Sequence, residues 1–469
     1  MSQASPGDTD ADLMRMMRAG RLDEAEALCR RRLAADPGDA QTLNNLGFIL
    51  DDRGHPDEAE AAYRRAAQAR PDFAQAHYNL GLLLQGQRRL DEAEIAYGQA
   101  VRIDPALVQA HNNRGAVLRD LRRLDEALAA FDTAVRLRPD YADAQFNQAM
   151  CRMLLGDWCR GWAQYEWRWR IRQADRAQRA FARPLWLGRE PLGGRTILLH
   201  AEQGLGDTLQ FCRYAPQVAA LGAQVILEVQ PGLERLLGRL EGVSRVERQG
   251  AAPPAFDVHT PLMSLPLALA AAGVAAPPGP GEDVRAYLSA DPSLIAQWGR
   301  RLAGAQDLRV GLVWAGAARP DQPIASAVDQ RRSLPLAAFA PLAAIPGVRL
   351  YSLQKGAAAA QLGEVARAGW VGGPIVDHTA ALVDFADTAA LVANLDLVIS
   401  CDTSVAHLAG AMGKPVWILS RYDGCWRWGV EGETTPWYAS AQLFRQSTQG
   451  DWAGVIGRVA AALASLAAD

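Results

Sequence analysis

The chain has 469 residues, of which 49% are hydrophobic and 22% are charged, and its formal net charge is -3. This balance gives no basic footprint for nucleic acid or anionic lipid, and the composition is that of a globular chain rather than a disordered one. At about 150 residues per domain, the length suggests roughly three domains.

The first twelve residues are polar and acidic and predict no secretory signal. The longest apolar run, 262–276, is broken by Pro266 and is too short to cross a bilayer. The cysteines are scattered, without a C-x-x-C pair or histidines at zinc spacing: Cys29, Cys151, Cys159, Cys212, Cys401 and Cys425. We therefore predict a cytoplasmic protein without a membrane span, a metal site or a nucleic-acid partner.

The first third of the chain repeats every 34 residues, as three columns show. Proline recurs at Pro37, Pro71, Pro105 and Pro139, a small residue at Gly47, Gly81, Gly115 and Ala149, and an aromatic at Tyr63, Tyr97, Phe131 and Tyr165. Small residues let two helices approach, the aromatic fills the gap, and proline ends each second helix. The period resembles the tetratricopeptide repeat and predicts an α-solenoid over residues 1–175. Its last copy, 156–169, is rich in tryptophan, as a repeat docking onto another domain could be.

One column of the repeat consists of asparagines at a fixed place on each first helix: Asn45, Asn79, Asn113 and Asn147. Stacked units align these amides in one groove, and an amide both donates to and accepts from a peptide backbone. The column resembles the asparagine ladder of protein O-GlcNAc transferases, which implies binding of a protein or peptide. The alternative is that the amides satisfy groups between repeats.

From residue 195 onward the pattern changes to buried strands alternating with glycine turns and helices. Strands are predicted at 196–200, 225–229, 309–314, 348–353, 395–400 and 415–419, with a helix over 208–221. Such alternation predicts parallel sheets with helices on both faces. We divide the region into Rossmann-like halves at 176–298 and 299–469, the GT-B plan of two α/β domains facing a cleft.

The loop after the first strand holds the first chemical signal. Gly204 and Gly206 can bring the backbone close to an acceptor, and Asp207 can remove a proton from it. Glu202 is the alternate base, with His200 and His259 near the acceptor. Two other interpretations are open. Asp207 can serve only as a helix cap, or the glycines with Glu228 can form a dinucleotide site that lacks its third glycine.

The second signal is Asp402-Thr403-Ser404-Val-Ala-His407, which follows the strand ending at Ser400 and precedes Gly413-Lys-Pro-Val. A strand, a polar turn and a helix present backbone N–H groups and hydroxyls to phosphate oxygens. His407 falls on the first helical turn. A D-T-S turn alone is common, whereas a D-T-S turn followed by Gly413-Lys-Pro-Val is specific.

This segment is similar to the D-T-G-x-x-H…G-K-P-V segment of the ADP-heptose:lipopolysaccharide heptosyltransferases, and Gly206-Asp207 with Pro216 looks like their G-D…P loop. The whole chain also resembles bacterial tetratricopeptide proteins with a heptosyltransferase-like C-terminal half, some of which glycosylate flagellin. The resemblance implies a GT-B fold, an inverting, metal-independent reaction, a nucleotide-sugar donor and no other cofactor. It assigns Asp207 as the base, and it places Asp402, Thr403, Ser404 and His407 against the donor.

Other donor contacts are expected on neighbouring strand ends and turns: Trp314, Arg331, Arg332, Ser333, Gln354 and Lys355. Ser404 stands where the family has glycine, and the Ala/Pro-rich loop 317–330 lacks the expected polar donors. Trp426-Arg427-Trp428 is either a stacking platform for a base or sugar, or core.

We therefore predict a glycosyltransferase whose repeats hold a protein acceptor, and the resemblance implies flagellin-like proteins as candidates. Two alternatives are a tetratricopeptide adaptor with a degenerate transferase region and, less favoured, a nicotinamide-dependent enzyme. The sequence leaves the sugar, the nucleotide and the oligomeric state open.

Overall fold

A computed structural model describes residues 9–171, 179–275, 285–302, 304, 307–317, 321–367, 370 and 373–468. The chain divides after residue 155 into two compact units, with 170–172 in the first and 156–169 in the second. The predicted fold class, a helical solenoid followed by parallel-sheet α/β structure, is confirmed. The three domain boundaries stay predictions.

The first unit consists of helices that follow the 34-residue period. They are α1 (Asp10–Arg18), α2 (Leu22–Ala35), α3 (Ala40–Asp52), α4 (Pro56–Ala69), α5 (Ala74–Gly86), α6 (Leu90–Ile103), α7 (Val108–Asp120), α8 (Leu124–Leu137) and α9 (Ala142–Leu154).

Each repeat unit closes on a contact between an aromatic ring and a glycine. A Cβ added to Gly81 would lie 2.7 Å from the Tyr97 ring, and Gly47 and Gly115 face Tyr63 and Phe131 in the same way. The rings are buried, so each one fills the space that the missing side chain leaves between two helices. The predicted role of the two columns is confirmed for these three pairs.

The second unit contains ten strands and twelve α-helices in its described part. The strands are β1 (Thr196–His200), β2 (Gln224–Val229), β3 (Val243–Arg248), β4 (Val258–Pro261), β5 (Leu308–Val313), β6 (Val348–Ser352), β7 (Val376–Asp377), β8 (Leu397–Cys401), β9 (Val416–Ser420) and β10 (Ala441–Arg445). The helices are α10 (Trp158–Tyr165), α11 (Leu205–Phe211), α12 (Ala215–Ala220), α13 (Glu234–Leu237), α14 (Leu265–Ala271), α15 (Pro292–Arg301), α16 (Pro323–Arg332), α17 (Ala340–Ala343), α18 (Gln361–Arg367), α19 (Phe385–Ala393), α20 (Ser404–Ala411) and α21 (Trp452–Ala468).

Two parallel sheets organise this unit. One has the order β3-β2-β1-β4 and the other β10-β9-β8-β5-β6-β7. In the larger sheet the order reverses between β8 and β5, and a ligand crevice is expected outside the carboxyl ends of the strands at such a point. The turns after β5 and β8 lie at this point of the larger sheet, and the turn after β1 of the smaller sheet lines the same cleft.

Two local predictions were wrong. The helix predicted over 208–221 begins at Leu205 and is interrupted by a 3-10 turn at 212–214, after which α12 carries Pro216 in its first turn. The expected loop over 317–330 is largely helical, because α16 occupies Pro323–Arg332. Residues 318–320 of that loop lie outside the described residues.

The tryptophan-rich segment 156–169 packs within the second unit. Trp158 makes edge contacts with Trp426 and Trp437 at ring-centroid distances of 6.1 and 5.5 Å, and Trp162 contacts Phe211 at 5.5 Å. Helix α10 thus contributes to a shared aromatic core with residues of both sheet domains. In the described part of the chain, no helix is both long and apolar enough to cross a membrane.

Candidate active site

A cleft of about 660 Å³ lies between the two sheets, at the carboxyl ends of their strands. The smaller sheet contributes the loop after β1 and the end of β2, and the larger sheet contributes the turns after β5, β6 and β8. The predicted residues that line the cleft are Gly204, Gly206, Asp207, Arg332, Gln354, Lys355, Asp402, Thr403, Ser404 and His407. The two main sequence signals therefore meet in one site.

Asp207 occupies the third position of α11 rather than the N-cap, which is Gly204. Its Oδ2 accepts a hydrogen bond from the Gly204 N–H at 2.8 Å, and its Oδ1 is paired with the guanidinium of Arg427. The side chain is 20% exposed and lines the cleft. A carboxylate has about four lone pairs, so these two contacts leave room for a proton from a substrate.

Gly206 does not serve mainly to expose backbone to an acceptor, as the sequence suggested. A Cβ at this position would lie 2.7 Å from Cδ2 of His407, so the absent side chain lets α11 pack directly against α20. His407 is buried, and its Nδ1 lies 2.9 Å from the Tyr438 hydroxyl. Burial, together with the nearby charge of Arg427, lowers the pKa of His407 to about 4, which makes the imidazole neutral at pH 7.

The turn after β8 combines a carboxylate with the beginning of a helix. Burial raises the pKa of Asp402, but the positive charge of Arg332 and the neighbouring basic groups outweigh it, and the net pKa lies below its usual value. Arg332 Nη1 also donates to the Asp402 carbonyl at 2.8 Å. Thr403 is the N-cap residue of α20 and makes no side-chain capping bond, while its carbonyl accepts from the Ala406 N–H at 3.1 Å. The N–H groups at the start of a helix lack the i−4 partners of later turns.

Two of the expected donor contacts, Gln354 and Ser333, bind protein groups instead. Gln354 uses its whole amide: its Oε1 accepts from the N–H groups of Trp314 and Ala315, and its Nε2 donates to the carbonyls of Ala315 and Lys355. Ser333 Oγ accepts from the Gly316 N–H at 3.0 Å. Gln354 and Ser333 therefore shape the loop after β5.

Trp314 and Arg331 are corrections to the expected donor set. The Trp314 side chain is fully buried in the core around β5, because the sheet is covered on both faces here and the last four residues of β5 are all buried. Arg331 forms an ion pair with Asp423 at 3.2 Å and lies outside the lining of the cleft. Lys355 does line the cleft, and its Nζ donates to the Leu382 carbonyl at 2.6 Å.

Glu202 is a correction to the candidate bases. Both of its carboxylate oxygens accept from the buried guanidinium of Arg168 at 3.1 Å, and Oε1 also accepts from the Met263 N–H at 3.2 Å. These contacts lie outside the lining of the cleft. The Glu202–Arg168 pair fastens the segment after α10 to the smaller sheet.

His200 and His259 also lie away from the cleft. They are buried side by side on β1 and β4, with 3.2 Å between Nε2 of His200 and Nδ1 of His259. Burial lowers the pKa of His200 to about 3. Glu228, which the dinucleotide alternative requires, is fully buried and paired with Arg179 instead of lining the cleft.

Arg427 lines the cleft and was not assigned a role from the sequence. Its neighbours Trp426 and Trp428 are 4% and 2% exposed, so the core interpretation of this tripeptide is right for both indoles. The sequence signal that could have pointed to Arg427 is its position between two tryptophans. Within the described residues, no group of three or more His, Cys, Asp or Glu side chains is arranged to hold a metal ion.

The asparagine column of the solenoid makes bonds between repeats. Nδ2 of Asn79 donates to Asn44 at 2.9 Å, Nδ2 of Asn147 donates to Asn112 at 3.0 Å, and Asn113 donates to the Tyr78 hydroxyl. The acceptors form a second column one position earlier. Because an amide nitrogen carries two hydrogens, these bonds do not exhaust its capacity, and peptide binding stays a prediction.

Comparison with known proteins found matches within each unit. Tetratricopeptide repeat models match residues 45–107 and 108–141, and the glycosyltransferase family 9 (heptosyltransferase) model matches residues 377–449. Segments of the chain thus match tetratricopeptide repeats and part of a glycosyltransferase family 9 domain. The family 9 match contains the Asp402–His407 turn.

A curated relative is the protein FlbA of Caulobacter vibrioides, 28% identical over 343 residues. The match covers 69% of this chain and 55% of FlbA, so the chain spans about half the length of that relative. Among solved structures, MamA is 21% identical with a TM-score of 0.32, over 34% of this chain and 92% of its own. The pilF protein of Pseudomonas aeruginosa is 20% identical with a TM-score of 0.31, and the match covers 33% of this chain and 71% of the pilF chain.

Proposed function

We propose that this protein transfers a sugar from a nucleotide-diphosphate sugar to a hydroxyl group of a protein. The observation that carries the proposal is the position of Asp207 in the same cleft as the Asp402–His407 turn, which lies inside the family 9 match. A base at one wall and phosphate-binding groups at the other are what a displacement at the sugar carbon requires.

The proposed reaction is a single displacement that inverts the anomeric centre. Asp207 accepts the proton of a serine or threonine hydroxyl, and the hydroxyl oxygen forms a bond to the anomeric carbon. The bond between that carbon and the diphosphate oxygen breaks at the same time, and the electron pair leaves with the nucleoside diphosphate. Asp207 then releases its proton to solvent.

Positive charge for the leaving diphosphate is available in the wall formed by the larger sheet. Arg332 and Lys355 line the cleft together with Ser404 and Val405 at the N-terminal end of α20, where the helix dipole favours an anion. Such fixed donors stabilise the charge that develops in the transition state. Neutral His407 is suited to bind a donor hydroxyl.

The repeats supply protein binding, and we propose that they bind the acceptor through the asparagine groove. The first helices expose Phe48 and Leu82 at equivalent positions, 34 residues apart, beside Asn45 and Asn79. Amides and apolar side chains together suit an extended peptide of mixed sequence. Flagellin-like proteins are the acceptors to test first.

The test is incubation of the full chain with a panel of nucleotide sugars and with acceptor proteins, followed by mass spectrometry of the acceptor. Addition of one glycosyl mass to a serine or threonine supports the proposal. Binding of a nucleotide sugar without turnover of any donor favours the adaptor function instead. A thermal shift with a nicotinamide cofactor alone would contradict both.

A further inference from the structure

Arg427 occupies an unusual position between two buried indoles. Trp426 belongs to the aromatic core with Trp158 and Trp162, and Trp428 stacks on His407 with 5.1 Å between ring centroids. The guanidinium of Arg427 lies over the Trp426 ring, with its Cζ 4.0 Å from the centroid, and is 11% exposed at the cleft. The aromatic core therefore fixes the position of a cation in the wall of the site.

The contacts of this cation lead to the proposed base. One Arg427 nitrogen, Nη2, pairs with Oδ1 of Asp207, and Nε donates to Oε1 of Gln210 at 2.6 Å. Both partners belong to α11 on the other wall of the cleft. The carboxylate proposed to accept a proton is thus paired with a guanidinium.

Arg332, by comparison, is held by groups of its own wall. Its Nε and Nη2 donate to Asp329 at 3.1 and 2.9 Å, and its Nη1 donates to a backbone carbonyl. Arg427 instead shares its charge with a group that the reaction needs in an uncompensated form. A diphosphate in the cleft is a stronger and bidentate competitor for that guanidinium.

We propose that Arg427 exchanges between Asp207 and the diphosphate of the donor, so that donor binding releases the base. This inference rests on the proposed function. The guanidinium pairs with Asp207 and compensates the charge of its carboxylate. When the diphosphate arrives, Arg427 turns to its oxygens, and Asp207 becomes available to an acceptor hydroxyl. Donor therefore binds before the acceptor is deprotonated.

The test measures binding of nucleoside diphosphates by calorimetry, so that it does not depend on turnover. ADP, GDP, UDP, CDP and dTDP are screened with the unmodified chain, and the tightest one is used with Arg427→Gln, Asp207→Asn and the double variant. We expect Arg427→Gln to weaken binding about tenfold or more, as loss of a charged hydrogen bond does. We expect Asp207→Asn to tighten it, because the competitor is removed, and the gain to disappear in the double variant.

Two controls separate exchange from other effects. Arg421→Gln changes an arginine of the same loop, which pairs with Asp423, and should leave binding unchanged. Arg427→Lys keeps the charge without the planar fork and should restore part of the affinity. Circular dichroism and thermal unfolding establish that each variant is folded.

The exchange is overturned if Arg427→Gln and Arg427→Lys, both folded, bind the nucleotide as tightly as the unmodified chain. An equal gain from Asp207→Asn in both backgrounds also overturns it, since that result indicates simple repulsion between two anions. Failure of the proposed function looks different. In that case no donor turns over, while the four binding constants still show whether Asp207 and the nucleotide compete for Arg427.

Discussion

Glu202 lies on the loop before α11 and Asp207 lies five residues later in the first turn of that helix, yet the two have opposite surroundings. Asp207 faces the cleft, whereas Glu202 is 6% exposed and held by both arms of Arg168. From the sequence, Asp207 was the predicted base on the family resemblance and Glu202 the alternate, without any contact that separates the two. The choice depends on Arg168, which lies 34 residues earlier and reaches Glu202 only in the folded chain.

Replacing each of the two carboxylates by its amide distinguishes catalysis from folding. We expect Asp207→Asn to lower sugar transfer by about 10²- to 10⁴-fold, the usual contribution of a general base. We expect Glu202→Gln to lower the stability of the fold, since it leaves a buried guanidinium partly uncompensated. Transfer assays and calorimetric unfolding of both variants check this. Equal loss of transfer in both folded variants would contradict the assignment of the base.

His407 makes the free energy of unfolding depend on pH, and the sign of this dependence follows from the lowered pKa of His407. An unfolded histidine has a pKa near 6.5, while His407 in the fold has a pKa of about 4. Between these values the unfolded chain binds a proton that the folded chain does not. Stability from this group is therefore complete above about pH 6.5 and is lost as the pH falls toward 4.

We expect the unfolding free energy to fall between pH 7 and pH 5, with each such histidine contributing at most about 1.4 kcal/mol per pH unit. His407→Gln should reduce this pH dependence. His200, whose pKa is also lowered, should continue to contribute in that variant. Calorimetric unfolding at several pH values measures the effect. The same pH dependence with and without His407 would show that folding does not lower the pKa of its imidazole.

At the scale of elements, the close packing of helices in the solenoid depends on glycines that face aromatic rings. A methyl group at Gly81 would approach the Tyr97 ring to 2.7 Å, and the ring is too deeply buried to move easily. Gly86 belongs to the same helix, α5, and a methyl group there would meet nothing within 4 Å. The two glycines form a matched pair.

We expect Gly81→Ala to lower the free energy of unfolding by about 1–3 kcal/mol, the cost of overpacking. Gly86→Ala should leave it unchanged or raise it by up to about 1 kcal/mol, because alanine favours a helix over glycine. Urea unfolding followed by circular dichroism at 222 nm tests the pair. If Gly81→Ala were as stable as Gly86→Ala, close packing at the ring would not be what holds the repeat together.

Period and alternation were sufficient to predict most elements, because they depend on local sequence. The strand predicted at 196–200 coincides with β1, and the solenoid prolines each follow a second helix. The packing of α11 against α20 was not predictable, since Gly206 and His407 are 201 residues apart. The same reason explains why Gly206 was assigned to an acceptor instead of a helix contact.

At the scale of the whole molecule, each unit has its own expected substrate contact. We expect the solenoid to bind the protein acceptor and the cleft of the second unit to bind the donor. Sequence motifs predicted the cleft well because the ends of parallel strands meet. The motifs predicted individual contacts poorly. The direction of the Gln354 and Trp314 side chains depends on the folded turns, and the sequence does not give it.

We expect a combined Asn79→Ala and Asn113→Ala variant to raise KM for the protein acceptor about tenfold, the loss of roughly 1.4 kcal/mol from two or more amide contacts. KM for the donor should not change. Gln68→Ala, a glutamine on the second helix of a repeat, is the control. Because Asn79 also bonds Asn44, circular dichroism must show that the variant is folded. An unchanged acceptor KM would leave the column a purely structural role.

The aromatic core around Trp158 has a practical consequence for spectroscopy. All 13 tryptophans lie at or beyond Trp158, and the first unit ends at residue 155 before resuming only for 170–172. Intrinsic tryptophan emission therefore reports on the second unit alone, while tyrosine and far-ultraviolet signals include the solenoid. Unfolding of the two units can thus be followed separately in one unlabelled sample. Indoles near the cleft, such as Trp428 beside His407, also provide a fluorescence signal for donor binding.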